Sequence, residues 1–367
     1  MKPLLNWIKS VGPNVALMTA AFAVAFGLGE VAVRFLYKDQ SVLFPRYHTD
    51  YQYGGYTLRG IRPNAEFWHT SVDGSWKFVT NSKGFRDARE IAYAKPKGTL
   101  RVLALGDSHT QGYEVRQDET YAAALERFLT ARGIPAQAIN AGVSGFSTAE
   151  ALAFLEAEGH KYDPDVVVLG FYANDFEDNL KAGLFSLDPG GGLAERKREH
   201  IPGVRIQNVI YAAAPVRWMS ENSYFYSLLF NGVWEYFKAR LSSAVRQAAA
   251  ETEYAVAKDG GPGAGELALA ASLIERMDAF CAARGIRFIV VDIPARPAAH
   301  RFASSLPEGL IERLRSAGIE YLAARPLLAD FDGVAAMHVE HGHQHISALT
   351  HTLIGVELGR RLAAAPQ

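Results

Sequence analysis

A serine at the end of an apolar run is the first residue here with a type and place suited to chemistry. Gly106-Asp107-Ser108-His109-Thr110 directly follows Val102-Leu103-Ala104-Leu105. If that run is a buried strand turning tightly into a helix, the Ser108 hydroxyl stands at the carboxyl edge of a sheet, where open α/β folds place their sites. Gly-Asp-Ser alone is equally compatible with an ordinary turn, so its weight comes from three further blocks. Asn140-Ala141-Gly142-Val143-Ser144-Gly145 ends a second short strand pattern and Tyr172-Ala173-Asn174-Asp175 a third, while His345 lies in a histidine-rich run near the C-terminus. A serine hydroxyl needs a positioned base to attack a carbonyl, and the oxyanion that forms needs donors aimed at it.

Serine, glycine, asparagine and histidine in this order resemble the SGNH hydrolases, the GDSL esterase/lipase superfamily, over residues 100–364. The run Asn81-Ser82-Lys83-Gly84-Phe85-Arg86-Asp87 looks like the lead-in of membrane-anchored bacterial envelope members. The resemblance implies Ser108 as nucleophile, with an oxyanion hole made by the backbone N–H groups of Ser108 and Gly145 and the side-chain amide of Asn174. It implies His345 as base, because His345-Ile346-Ser347-Ala348-Leu349-Thr350-His351 is similar to the final block, in which the histidine immediately precedes the last helix. Thr350 stands where members usually carry glycine. The orienting acid usually lies two or three positions before the histidine, but His343 and Gly342 stand there. Asp330, Asp332 and Glu340 are near in sequence. Asp332 is the candidate acid, and a Ser-His dyad held by a backbone carbonyl is the alternative. Tyr172 replaces the glycine usual two residues before the asparagine, which narrows the space near the hole.

Rival readings attach to several of these residues. His341 and His343 compete with His345, and alternation at 341, 343 and 345 would put three imidazoles on one face of an extended segment, as in a metal site. No carboxylate-rich or second histidine cluster joins them, so neither a metal nor a cofactor is expected. Asn174 has a structural reading as a helix N-cap, a role Asp175 could take instead. Side chains adjacent on a turn diverge, so His109 is not expected to serve Ser108. Asp107 is expected to accept backbone hydrogen bonds that fix the turn.

These residues need a frame to position them. From 100 onward, strand patterns alternate with helical ones: strands at 100–105, 136–140, 165–171, 286–292 and 319–322, helices at 121–132, 148–158, 266–284, 307–317 and 347–363. Val166-Val167-Val168-Leu169 is continuously apolar, as a strand covered on both faces should be. Repeated strand-helix units predict a three-layer α/β/α sandwich around a central parallel sheet, the flavodoxin-like SGNH hydrolase fold, over 99–367. An insertion at 184–262, helical in its second half, is expected over or beside the site, its aromatics from Tyr224 to Phe237 serving mainly in packing. Residues 39–98 read as a β-rich accessory region with a hairpin on an Asp73-Gly74 turn.

The remaining inferences concern placement and partners. A near-neutral formal charge of −1 gives no reason to expect nucleic acid. Cys281 is the single cysteine, which excludes an internal disulfide framework. Residues 10–29 carry no charge, long enough for a bilayer crossing; 1–38 is therefore expected to be an N-terminal membrane anchor, with a cleaved signal peptide as the rival. Lys2 and Lys9 precede the span while Arg34 and Lys38 follow it, so charge leaves its orientation open. The resemblance then implies a single-pass inner-membrane protein whose catalytic domain faces the periplasm or cell exterior. The implied activity is that of a serine esterase on an acyl-ester substrate, with O-acetyl groups of cell-envelope or exported carbohydrate as the candidate. An O-acyltransferase using the same serine and a non-catalytic component of a polysaccharide machine are the alternatives.

Overall fold

The computed structural model describes residues 2–38, 43, 47–240, 261–341 and 344–364. A long helix α1 (Lys2–Leu36) leads into two antiparallel pairs, β1 (His48–Tyr53) with β2 (Tyr56–Ile61) and β3 (Glu66–Ser71) with β4 (Gly74–Val79). Ser71 pairs with Gly74, so Val72 and Asp73 form the hairpin turn and Gly74 opens β4. The expected Asp-Gly turn is thus shifted by one residue, because the pairing places the glycine in the ladder.

The sheet that carries the chemistry follows. Its strands are β5 (Leu100–Leu105), β6 (Ala136–Asn140), β7 (Val166–Phe171), β11 (Arg287–Asp292) and β12 (Glu320–Leu322), all parallel, in the order β12-β11-β7-β5-β6. Chain order reverses beside β5, which makes the carboxyl ends of β5 and β7 a topological switch point. The strands bury both faces. Leu103, Leu105, Val167, Leu169, Phe288 and Val290 enter one core with α4 (Thr148–Ala157), α5 (Asp175–Ala182), α9 (Ala264–Ala282) and α10 (Glu308–Ala317). Val102, Ala104, Val166, Val168, Ile289 and Val291 enter the other, against α3 (Tyr121–Thr130) and the closing helix α11 (Ala348–Ala364). Each fully buried Val or Leu contributes roughly 1.5–3 kcal/mol, so alternate residues hold the two helical layers to one rigid sheet.

Tyr47, Leu58, Ile61, Phe67, Phe78 and Phe85 belong to the first of these cores, so the antiparallel strands of residues 48–79 share that core with the parallel sheet. In the insertion, β8 (Phe185–Leu187) pairs with β9 (Leu193–Glu195), and β10 (Glu199–His200) adds to β2. Helices α6 (Val204–Ala212), α7 (Ala214–Asn222) and α8 (Tyr224–Arg240) then pack on β1, β3 and α1. Residues 241–260 of the expected insertion lie outside the described residues. Tyr224 is buried against Val33 and Leu43, which turns the aromatic stretch toward α1. The accessory strands reach the candidate site, His69 of β3 packing on Tyr113 at 4.3 Å.

Candidate active site

Gly106 makes the turn that presents Ser108. Its φ is +146°, and a Cβ there would collide with the Thr110 side chain and the Gly170 carbonyl, so only glycine lets β5 pass into the one-turn helix α2 (Ser108–Gln111). Asp107 caps that helix, accepting from the His109 N–H at 2.8 Å. Beyond β6, the Asn140 amide donates to the Thr110 carbonyl at 2.9 Å and the Val143 N–H to the Gly106 carbonyl at 3.0 Å. The second block is therefore tied to the first. Gly145 follows at φ +76°. Its neighbour Ser144 accepts from the Tyr47 hydroxyl at 3.2 Å and donates to the Gln111 side chain.

Asn174 ends the third block. It occupies the N-cap position of α5, but its side chain makes no capping bond; its Nδ2 donates to Asp178 at 3.0 Å. An amide nitrogen carries two hydrogens, so that bond orients the group without consuming it. Asp175 takes the local bond instead, accepting from the Tyr172 N–H at 3.1 Å. Because β5, β6 and β7 adjoin in the sheet, Ser108, Gly145 and Asn174 gather at one edge.

His345 arrives from the other end of the chain. Its Nε2 lies 2.8 Å from Ser108 Oγ, within hydrogen-bond reach of a nucleophile and base. The segment is fixed by the Val339 N–H donating to the His345 carbonyl at 2.8 Å and by the bridge of His338 to Ile346. Around the imidazole stand Tyr113 and His109, with ring centroids 4.6 and 4.8 Å away.

The other histidines have different tasks. His109 is buried against Tyr172, and burial, reinforced by the His345 charge, holds its pKa well below the ordinary value. Its Nδ1 accepts from the Ile346 N–H at 3.4 Å. Burial also pushes His338 down to about 4 and His351 down to about 3. His341 is exposed and bonds Asp73 at the hairpin tip through Nδ1 at 2.9 Å, which raises its pKa. His343 lies outside the described residues, as does Gly342. Among the described residues, no group of three His, Cys, Asp or Glu side chains could hold a metal ion.

The structure does not bring Asp332 to the imidazole. Its carboxylate pairs with Arg301 at 3.3 Å and accepts from the Phe302 N–H at 3.4 Å, because the turn that ends at Asp332 faces the 300–302 segment. The carboxylate beside His345 is that of Glu114, with Oε2 3.7 Å from Nδ1. Sequence reasoning searched for an acid next to the histidine in the chain and passed over it. The available signal was an acid in the otherwise uncharged Gly112-Tyr113-Glu114-Val115, six residues after the serine.

Two supports stand behind this arrangement. The Arg86 guanidinium is buried and donates to the carbonyls of Gln111 at 3.0 Å, Gly112, and Val115 at 2.7 Å. Burial lowers its pKa to about 9, still charged at neutral pH. Asn81 shapes the run before it, accepting from the N–H groups of Lys83 and Phe85. The second support is an acidic set: Asp107, Asp175 and Asp178 are all buried. Burial first, then the Asp178 charge, pushes the Asp107 carboxyl above the usual range; Asp175 moves the same way, through burial and then Asp107.

No curated protein matches the sequence. Among solved structures, a GDSL-family lipolytic protein of Desulfitobacterium hafniense matches at 14% identity and TM-score 0.37, covering 71% of this chain and 98% of its own. The esterase EstA of a Pseudoalteromonas species matches at 13% identity and TM-score 0.40, covering 72% and 96%. A mutant of Axe2, an acetyl-xylooligosaccharide esterase of Geobacillus, matches at 11% identity and TM-score 0.39, covering 72% and 95%. The model of the GDSL-like lipase/acylhydrolase family matches residues 104–311, more than half the sequence, and the chain belongs to that family of ester-hydrolysing enzymes.

Proposed function

We propose that the protein is a serine esterase in which Ser108 is the nucleophile and His345 the base. The observation that carries this reading is the 2.8 Å contact between Ser108 Oγ and His345 Nε2 at the switch point of the sheet. His345 takes the hydroxyl proton as Oγ attacks the ester carbonyl. The backbone N–H groups of Ser108 and Gly145 and the Asn174 amide receive the oxyanion. Collapse expels the alcohol with the proton returned from His345, and water, deprotonated by the same imidazole, releases the acid. Tyr172, buried against His109 beside this edge, favours a short acyl group. An O-acetyl ester on envelope or exported carbohydrate is the substrate we assign, with α1 in the inner membrane and the hydrolase on its outer side.

The test is hydrolysis of p-nitrophenyl acetate against p-nitrophenyl octanoate by the purified chain. Acetate turnover should exceed octanoate turnover. Ser108→Ala and His345→Ala should each abolish it to a similar extent, since nucleophile and base act as one unit and their losses are not additive. His341→Ala should retain the parent rate. Acyl transfer to an added sugar in preference to water would favour the transferase reading, and full turnover by Ser108→Ala would refute the nucleophile assignment.

A further inference from the structure

The position where relatives of this fold keep the orienting acid is occupied by His343 and Gly342, and Asp332 is engaged with Arg301. We infer that Glu114, from the loop that follows the nucleophile helix, is the residue that orients His345. The inference rests on Ser108 and His345 acting as nucleophile and base.

Three independent observations converge on Glu114. The first is position: its Oε2 lies 3.7 Å from His345 Nδ1, on the opposite side of the ring from the 2.8 Å contact of Nε2 with Ser108. That is the side an orienting carboxylate needs to fix the tautomer and stabilise the imidazolium; at 3.7 Å the contact is an ion-pair distance, and catalytic contacts are often long before substrate binds and tighten into hydrogen bonds in the complex. The second is burial. Glu114 is 3% exposed and His345 7%, so little water screens the pair.

The third is backbone strain. Glu114 adopts φ +61°, a left-handed conformation that costs a side-chain-bearing residue energy and persists where the surroundings over-determine it. Those surroundings are visible. Arg86 holds the carbonyls of Gln111, Gly112 and Val115, on both sides of Glu114. The Tyr113 ring is wedged against His69 at 4.3 Å and His345 at 4.6 Å. A glycine would meet the backbone demand more easily, yet an acid stands there, aimed at the imidazole. The accessory region thereby enters catalysis at one remove, since Arg86 and His69 position the loop that positions the base.

During acylation the Ser108 proton passes to His345 Nε2, while the Nδ1 proton stays on the ring and is held by Glu114. The carboxylate gains no proton. The groups facing His345 are His109 from α2, His338 from the preceding bridge, His351 from α11 and Tyr113, with Arg86 behind the loop. The three histidines are kept neutral by burial and Arg86 disfavours a second cation, so Glu114 is the negative group at Nδ1.

The experiment compares Glu114→Gln, Glu114→Asp and Glu114→Gly with Ser108→Ala and Asp332→Asn in the full-length chain, using p-nitrophenyl acetate. Glu114→Gln should lower kcat by about 10³–10⁴ with little change in KM, the usual cost of a wrongly oriented imidazole. The midpoint of its residual pH–rate profile should move down, because the imidazolium loses its counter-charge. Glu114→Asp should recover part of the rate. Glu114→Gly should melt no lower than the parent, having relieved the strained φ, and still be slow, which separates positioning from folding. Asp332→Asn should keep the parent rate. Near-parent kcat and an unmoved pH profile in Glu114→Gln, with Ser108→Ala inactive, would overturn the inference and leave the esterase reading intact. Full activity of Ser108→Ala would overturn both.

Discussion

Asn174 is the side chain whose role is most open to a direct kinetic test. Its amide is fixed by Asp178 rather than spent on capping α5, which leaves an N–H for charge that develops only in the transition state. Asn174→Ala should lower kcat by about 10²–10³ with a smaller effect on KM. A collapse of the melting temperature with kcat unchanged would make it a structural group instead. Asn174 stands out in the sequence because a polar residue ending so apolar a strand needs a reason. Glu114 does not: its meaning depends on His345, which enters from the far end of the chain, and on a loop shape imposed by Arg86 from a third region. Residues whose task is set by their own strand end can be found in a sequence. Those whose task is set by a distant partner need the fold.

At the scale of elements, the turn after β5 and the helix after β7 share an electrostatic load. Asp107, Asp175 and Asp178 crowd the edge that holds Ser108 and Asn174, and burial with mutual repulsion raises Asp107 and Asp175 above the unfolded carboxylate value. A carboxyl raised in the folded state contributes stability that is complete below the unfolded pKa and is lost as pH rises through the folded one. These two carboxyls therefore contribute a decline in melting temperature between pH 5 and pH 8, opposed in the lower part of that range by His109, His338 and His351, whose depressed values in the folded state favour folding as pH rises. Asp107→Asn keeps an acceptor for the His109 N–H, so it should flatten that decline and melt higher than the parent at pH 8. A difference in melting temperature between parent and Asp107→Asn that does not change with pH over this range would show that the Asp107 carboxyl is better solvated than its burial implies. The central strands were legible because continuous apolar runs such as 166–169 report burial on two faces. The hairpin was legible only to within one residue, since pairing of Ser71 with Gly74 is settled by the whole ladder. Under either pairing Asp73 lies in the turn, where it binds His341.

On the scale of the whole molecule, α1 does more than extend from the hydrolase. Its segment Gly12–Leu36 is long and apolar enough to cross a membrane, with mean hydropathy 1.9 over its most apolar stretch, none of which is buried. Near its end, however, Glu30 turns a carboxylate toward the insertion. It accepts from the Ser223 hydroxyl at 2.7 Å and from the N–H groups of Tyr224 and Phe225 at 3.2 and 2.9 Å. Arg34 adds a bond to the Asn222 carbonyl at 2.9 Å. A carboxylate supplied from another helix thus caps the first turn of α8, satisfying amides that have no partner within that helix. The insertion in turn contacts β1 and β3, so the apolar helix is coupled through it to the strands that support the site. Glu30→Ala should then lower the melting temperature of the full-length chain in detergent by about 2–4 °C, the effect of losing a cap worth roughly 1–2 kcal/mol. Turnover of p-nitrophenyl acetate at 25 °C should not change, because no residue of the site moves. Deleting residues 1–36 should release the protein from membranes and produce a fall in melting temperature at least as large as that of Glu30→Ala. If the truncated chain melts at the parent temperature, the polar contacts at the end of α1 contribute nothing to the stability of the hydrolase.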